Sequence, residues 1–509
     1  MHRVTAGRPG RDDAGSSAEI GSRIPPFDVV DPYQGMATPL CGRLTPFRTG
    51  GAVRAHAGPN FVKARLAALA MRRRSAGLEG DCLMTGKLRE RIAISGVGCS
   101  RFGNLLETPE LKGTTIQELT ARAVKEALDD AGLTGQDVDA VFAGNAMVHS
   151  SQVPGTYSQL SKWTGTQFKA GVHFEAQCST TNVGAALAAM SIAAGTYDTV
   201  LVYGLETTRT KVKGFSPYER EPISHQQTWL WTDMAVNQAY GVPQGYDIFS
   251  TYNGLVALGY CRKYGMSIED FDRGMFELCK TRRLHGSMNP KANIQERLED
   301  RAEREGFSDP FDYWRSDKHN PFVAWPSRLL SLVTTADGAS AMVITRADLA
   351  KGGKSQPVEL KGFGISYSDL PWYGEDPTHW EFDRRAIDAA FDMARIKPAD
   401  IDYLHTHDCS HISGICTAEA TGYLEPGTGL SAARDGRLRF DGDRPMSTHG
   451  GRHAFGHAWG ASAGTDTYEA VLQMRGQAGP RQIKKTPEIS VIHTHGYAMI
   501  GTVVVLGSI

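Results

Sequence analysis

The sequence contains no C-x-x-C pair, and its eight cysteines (41, 82, 99, 178, 261, 279, 409 and 416) are scattered through 509 residues. That spacing points to neither a disulfide framework nor a zinc site, and unpaired thiols fit a reducing, cytoplasmic setting most simply. No uninterrupted apolar run approaches the roughly 18 to 20 residues needed to cross a bilayer, so no membrane span is expected. Charge of one sign is lacking too. Lys and Arg total 55 against 56 Asp and Glu, a formal net charge of -1, which argues against nucleic acid as a partner. What is present, 41% hydrophobic and 22% charged residues, is the composition of an ordinary globular protein long enough for roughly two to four domain-sized units.

Residues 1–84 differ from the rest. They are rich in Arg, Gly, Pro and Ala, poor in acidic residues, and hold one basic helical candidate from Phe61 to Arg74. A transit peptide has a similar composition. The reading preferred here is a mis-assigned start with Met84 as the natural initiator, because an ordered domain is expected immediately afterwards. On either reading 1–84 is expected to be disordered or loosely attached.

From Arg91 the chain alternates. Arg91–Gly98 reads as a strand, Thr115–Ala131 as a helix with apolar spacing at 116, 119, 123, 127 and 131, and Asp139–Gly144 and Thr199–Gly204 as further buried strands. Strands separated by helix-length segments predict a parallel or mixed α/β sheet. From about 205 to 330 the rhythm breaks into a polar, aromatic stretch with helical pieces around 246–264 and 268–284. A segment of that kind is either a lid over a substrate or a helical cap that only buries apolar surface. The strand pattern returns at Asp337–Thr345.

An internal repeat sets the architecture. Ala123–Val141 aligns with Ala386–Leu404 at a constant offset of 263, with identities at six of nineteen positions, including Asp137/Asp400 and Asp139/Asp402. Each copy is one helix, one turn and one strand, so the protein reads as a duplicated α/β half.

Three stretches carry chemistry. Val172–Asn182 reads as a strand ending at Cys178, followed by an Ala-rich helix from Val183 closed by Gly195. A helix N-terminus favours thiolate over thiol, which suits a nucleophile. A buried cysteine acting as a small hydrophobe fits the same position. The second stretch, His405-Thr406-His407-Asp408-Cys409-Ser410-His411, ends the repeated strand, at the edge where open α/β sheets place ligands. Three histidines in seven residues invite a metal reading, with 405 and 407 on one strand face. It ranks below catalysis because Cys409 joins them only if the strand continues, and no metal is expected. The third is Thr448–Gly464, where His457 stands among glycines 450, 451, 456, 460 and 464, a setting suited to proton transfer. Ile489–Leu506 then reads as an antiparallel hairpin.

Together the cysteine at a helix start, the duplication, the Asp337-Gly338-Ala339 turn, Gly456-His457-x-x-Gly460-Ala461-Ser462 and the closing hairpin resemble the thiolase superfamily over about residues 88–509. His407-Asp408-Cys409 resembles the H-D-C-F signature of sterol-carrier-protein-type thiolases. The resemblance implies a duplicated fold of two mixed five-stranded sheets in an α-β-α-β-α arrangement, with a helical loop domain. The implied division is 88–204 plus 332–350 for the N-terminal half, 205–331 for the loop or lid domain, and 355–509 for the C-terminal half. It also implies an acyltransferase of lipid metabolism, of the 3-ketoacyl-CoA thiolase or acetyl-CoA C-acyltransferase type. Cys178 would be the acyl-accepting nucleophile and His457 its base, while His407 would be a hydrogen-bond donor to the enolate oxygen and Cys409 the acid/base for the α-proton.

The sequence departs from the family pattern at three places. Ser410 replaces the Phe of H-D-C-F, Ala458 the Pro of G-H-P, and Gly496 the Asn of a closing H-N motif whose His495 survives. Coenzyme A is expected as a co-substrate with no separately bound cofactor. Its entry is expected past the 205–330 segment, where Lys211, Lys213, Arg262, Lys263, Lys280, Arg282 and Arg283 could meet its phosphates, though most such charges are solvated surface groups. His285 and Gly496 are further candidates for contact with it. A homodimer or higher oligomer is expected, and proteins with these departures resemble thiolase-like subunits that work beside a small OB-fold, zinc-ribbon partner. The competing readings are a ketosynthase using Cys178, His407 and His457, and a thiolase-like carbon–carbon lyase or scaffolding subunit.

Overall fold

The structure, a computed structural model, describes residues 88, 91–146, 156–209, 248–350, 355–368, 376–496 and 500–509. The chain divides into Met1–Gly80 and Asp81–Ile509, and every described residue belongs to the second unit. The expectation for residues 1–84 and the helix at Phe61–Arg74 therefore lies outside the described residues.

The strands in chain order are β1 Ile92–Cys99, β2 Ala140–Gly144, β3 Ala170–Phe174, β4 Thr199–Thr207, a small hairpin of β5 Phe322–Ala324 and β6 Ser327–Arg328, β7 Asp337–Arg346, β8 Val358–Tyr367, β9 Tyr403–His405, β10 Ile489–Gly496 and β11 Ile500–Ser508. The helices that matter for the site are α1 Ile116–Ala131, α2 Thr180–Ala193, α3 Ile248–Tyr264, α4 Ile268–Ser287, α5 Glu381–Ala394, α6 His411–Ala420 and α7 Trp459–Met474.

The fold is mixed α/β and duplicated. The main sheet runs β3-β2-β4-β7-β1-β8-β11-β10-β9, with five strands from the first half and four from the second. The expected pair of five-stranded sheets is thus one continuous nine-stranded sheet, joined where Ile92–Ile94 of β1 pair with Val358–Leu360 of β8. In the second half the place of a fifth strand is held by a single parallel bridge, Leu404 to Met446. Pro445, which has no N–H to offer a ladder, precedes it, and Ser447 follows with φ +48°, so pairing ends there.

The repeat is visible in detail. Helix α1 lies on β1 and helix α5 on β8, and each approach depends on a Gly-x-Gly in the strand. A Cβ at Gly98 or Gly364 would collide with the carbonyl of Ala123 or Ala386, and one at Gly96 or Gly362 with that of Ala127 or Ala390. Both helices end in the left-handed conformation, at Gly132 and at Arg395. The repeated aspartates do the same work twice. Asp139 Oδ2 accepts the N–H groups of Asp198 and Thr199 at the start of β4, and Asp402 Oδ2 those of Glu488 and Ile489 at the start of β10.

Between the half-sheets lie α2 and α7, each touching strands of both. Ala185, Ala186, Ala188 and Ala189 keep α2 thin enough to be buried there. The segment after β4 contributes α3 and α4, whose Tyr252, Tyr260, Phe271 and Phe276 enter a core with Trp380, Phe382 and Ile412 of the second half. Trp314 is buried with them, while Trp325 is exposed. Trp229, Trp231, Tyr240 and Tyr246 lie outside the described residues.

Candidate active site

The strand expected to end at Cys178 stops earlier, at Phe174, and the cysteine occupies a 3₁₀ turn, Gln177–Ser179, that runs straight into α2. The chain turns sharply to do so. Gln177 has φ +50°, a conformation a non-glycine residue adopts only where its surroundings enforce it. Those surroundings come from the second half: Ser179 Oγ donates to Thr494 O (3.2 Å), and Thr181 Oγ1 donates to Gly460 O (2.7 Å) while accepting from Gly464 N–H (3.0 Å). Gly496 closes the other side. A Cβ there would stand 2.9 Å from Ala176 O and 3.0 Å from Gln177 Cβ, so the absent side chain leaves room for the Gln177–Ser179 turn.

His407 and Cys409 follow β9 in the segment leading to α6, and His457 precedes α7. The stretch Leu332–Ala336 threads between these two loops. Val333 N–H donates to Cys409 O (2.7 Å), Thr334 N–H to Arg452 O (3.3 Å), Ala336 N–H to His457 O (3.1 Å), and His457 N–H to Thr334 O (2.9 Å).

These pieces converge. His457 Nε2 lies 3.2 Å from Cys178 Sγ, and its Nδ1 lies 2.8 Å from Ser462 Oγ. With Nδ1–H donating to Ser462, Nε2 is left to take the thiol proton. His407 Nε2 lies 2.7 Å from Cys409 Sγ, and the His407 and His457 rings are 5.3 Å apart. Cys178 is partly exposed, whereas His407, Cys409 and His457 are buried.

The electrostatics separate the two sulfurs. The hydrogen bond from Cys409 is the largest influence on Cys178, and with His457 it holds that thiol well below its ordinary range against the opposing effect of burial. Burial, and next the Cys178 sulfur, push the Cys409 thiol well above its range. Burial also brings His407 down to about 3, so it is neutral. Burial raises the remaining described cysteines, Cys99 and Cys279 to about 12, Cys261 to about 11 and Cys416 well above the normal thiol range. Among the described residues Cys178 alone is pushed toward the thiolate.

The other expected residues fall elsewhere. His285 on α4, expected to contact coenzyme A, is fully buried, its Nε2 accepting the Phe440 N–H (3.0 Å). Arg282 and Arg283 are buried as well, against Asp408 and His453, and do not meet solvent-borne phosphates. Lys263 pairs with Asp376, and Lys280 with Glu277 and Glu299. Arg262 is exposed, and Lys211 and Lys213 lie outside the described residues.

The histidines of the 405–411 stretch part company, because β9 ends at His405. His405 joins His449 and Asp466, His407 joins Cys178 and His457, and His411 lies against His453. The first two groups, and a third of Asp383, His493 and His495, have donor atoms close enough to hold an ion. Asp466 is also paired to both terminal nitrogens of Arg452, and His457 is already bonded to Ser462. In the third group Asp383 Oδ2 lies 3.1 Å from His493 Nε2 and 3.2 Å from His495 Nδ1, with the His495 ring 4.7 Å from that of His407. Neither Asp383 nor Arg282 was legible at this place from residue spacing, because each reaches it across a helix–loop or helix–strand contact.

Residues 93–273 match the thiolase N-terminal domain, and residues 372–508 match the thiolase C-terminal domain-like family. The chain is 28% identical to an acetyl-CoA acetyltransferase of Methanothermobacter thermautotrophicus, over 80% of this chain and 96% of that protein. It is 24% identical to human sterol carrier protein 2, over 82% of this chain and 71% of the relative. Among solved structures, one described as an Ltp2-ChsH2(DUF35) aldolase superposes with a TM-score of 0.65 at 19% identity, over 83% of this chain and 98% of that one. A duplicated α/β fold with a polarised cysteine between its halves defines a thiolase-like protein. The chain belongs to the thiolase superfamily, the two family matches together spanning more than half of it.

Proposed function

We propose that the protein is a thiolase that cleaves 3-ketoacyl-CoA with free coenzyme A, or condenses two acyl-CoAs in reverse, through an acyl-Cys178 intermediate. The observation that carries this is the geometry at Cys178, whose sulfur lies 3.2 Å from His457 Nε2 with the His407–Cys409 pair beside it. Cys178 gives its proton to His457 Nε2, and its sulfur attacks the 3-keto carbon. The C2–C3 bond breaks, its electron pair passes into the enolate of acetyl-CoA, and the Cys409 thiol supplies the proton to C2. Coenzyme A thiol then gives its proton to the Cys409 thiolate and attacks the acyl-Cys178 thioester, releasing the shortened acyl-CoA and the Cys178 thiolate. His407 and His457 face the space where the thioester and enolate oxygens develop charge.

A second reading is favoured by the aldolase neighbour: retro-aldol cleavage of an acyl-CoA without an acyl-enzyme. Mass spectrometry after brief incubation with acetoacetyl-CoA or a longer 3-ketoacyl-CoA separates the two. An acyl adduct on the Cys178 peptide supports the thiolase, and aldol cleavage by an unmodified protein supports the lyase. The same neighbour carries a two-component description, which is in keeping with a small OB-fold, zinc-ribbon partner for this chain. A cytoplasmic homodimer active in lipid metabolism completes the reading.

A further inference from the structure

Helix α4, supplied by the segment after β4, brings Arg282 to the back of the His407-Asp408-Cys409 loop. Both Arg282 and Asp408 are fully buried, and Arg282 Nε donates to Asp408 Oδ2 at 2.6 Å. The other carboxylate oxygen, Oδ1, accepts the Arg452 N–H at 2.7 Å, and Arg282 Nη1 donates to Met446 O at 2.7 Å. Burial by itself would raise the Asp408 carboxyl, but the Arg282 charge, the Arg452 N–H and the neighbouring His411 and Arg452 together outweigh it and bring it down to about 2. The backbone leaves space for this pair deliberately: Gly451, at φ +61°, sits where any Cβ would strike both the Asp408 carboxylate and the Arg282 side chain.

Asp408 lies between the two residues that face Cys178 from this side, so its place fixes theirs. We infer that Arg282 is a positioning residue, holding Asp408 so that the His407 Nε2–Cys409 Sγ pair, 2.7 Å apart, faces Cys178. The buried carboxylate cannot turn to water, and without Arg282 it must either take a proton or drag the loop with it. The inference deepens the acyl-transfer reading and rests on it for its kinetic arm alone.

The test compares the full-length protein with Arg282→Met and Arg282→Lys, reading kcat and KM for acetoacetyl-CoA thiolysis together with the rate at which iodoacetamide alkylates Cys178 at pH 7. Loss of alignment predicts a fall in kcat of about 100-fold in the Met variant with KM within about threefold, since small misplacements of reacting groups carry penalties of that size. Lys keeps the charge without the planar fork and is expected to recover about tenfold of the loss. Alkylation of Cys178 in the Met variant is expected to slow about tenfold, the effect of one pKa unit on a thiolate population. A folded Met variant with wild-type kcat and wild-type alkylation overturns the inference. If the Met variant does not fold, the Lys variant decides: about tenfold lower kcat at an unchanged melting temperature supports it, and wild-type kcat overturns it. Should the wild-type protein prove inactive in thiolysis, the acyl-transfer reading fails, and the alkylation rates still decide the role of Arg282.

Discussion

Two thiols meet at His407, and their acidities are driven in opposite directions. The Cys409 thiol, foremost, and His457 hold the Cys178 thiol well below its ordinary range, while burial and next the Cys178 sulfur push Cys409 well above its own. Replacing Cys409 with Ala removes the donor, so the Cys178 thiol should rise toward its ordinary range. Alkylation of Cys178 at pH 7 is then expected to slow at least about tenfold, checked by peptide mass spectrometry. Exchange of the C2 protons of acetyl-CoA with solvent deuterium, followed by NMR, should stop in the same variant. His457→Asn removes the proton acceptor and should lower kcat by about 10² to 10⁴, with Ser462→Ala lowering it less because only the ring's orientation is lost. Cys178, His407, Cys409 and His457 were legible as residues because each sits in a local motif. Arg282 was legible only as a charge, and its burial against Asp408 depends on a contact no spacing rule encodes.

At the scale of elements, the hairpin of β10 and β11 and the turn before α2 meet at Gly496. The asparagine that a family resemblance would place there has no room, because its Cβ would press on Ala176 O. Gly496→Asn is therefore expected to displace the Gln177 turn, destabilising the protein by about 1 to 3 kcal/mol and lowering kcat, as measured by urea unfolding and thiolysis. The paired glycines of β1 and β8 make a matching prediction. Gly98→Val and Gly364→Val each lift an Ala-faced helix from its strand, and both should cost about 1 to 3 kcal/mol in the same unfolding assay. Helices α1, α3, α4 and α5 and the closing hairpin were readable from periodicity. The early end of β3 was not, since Glu175–Gln177 reads equally well as strand until the positive φ at Gln177 is known.

For the whole molecule, the duplication brings the parts of the site together: the first half supplies Cys178, and the second supplies His407, Cys409, His457 and the bonds that hold the Cys178 turn. The repeat in the sequence corresponds to one helix, turn and strand in each half, and the Asp139 and Asp402 contacts give the reason the aspartates recur. The same burial makes the fold sensitive to acid. His407 and His411 are each brought down to about 3 by burial, so the folded state keeps them neutral while the unfolded chain protonates near the ordinary imidazole value. Their contribution is present above about pH 6.5 and is lost as pH falls from there toward 3, amounting to about 2 kcal/mol per histidine at pH 5. The melting temperature should therefore decline steadily below about pH 6.5, and a flat profile to pH 5 would contradict the burial of neutral imidazoles. Trapping the Cys178 sulfur during turnover tests the proposed acyl-enzyme most directly. Brief incubation with a 3-ketoacyl-CoA, acid quench and peptide mass spectrometry should find the acyl group on Cys178 and on no other cysteine. An unmodified Cys178 in protein that is turning over substrate, or an acyl group on Cys409, would contradict it.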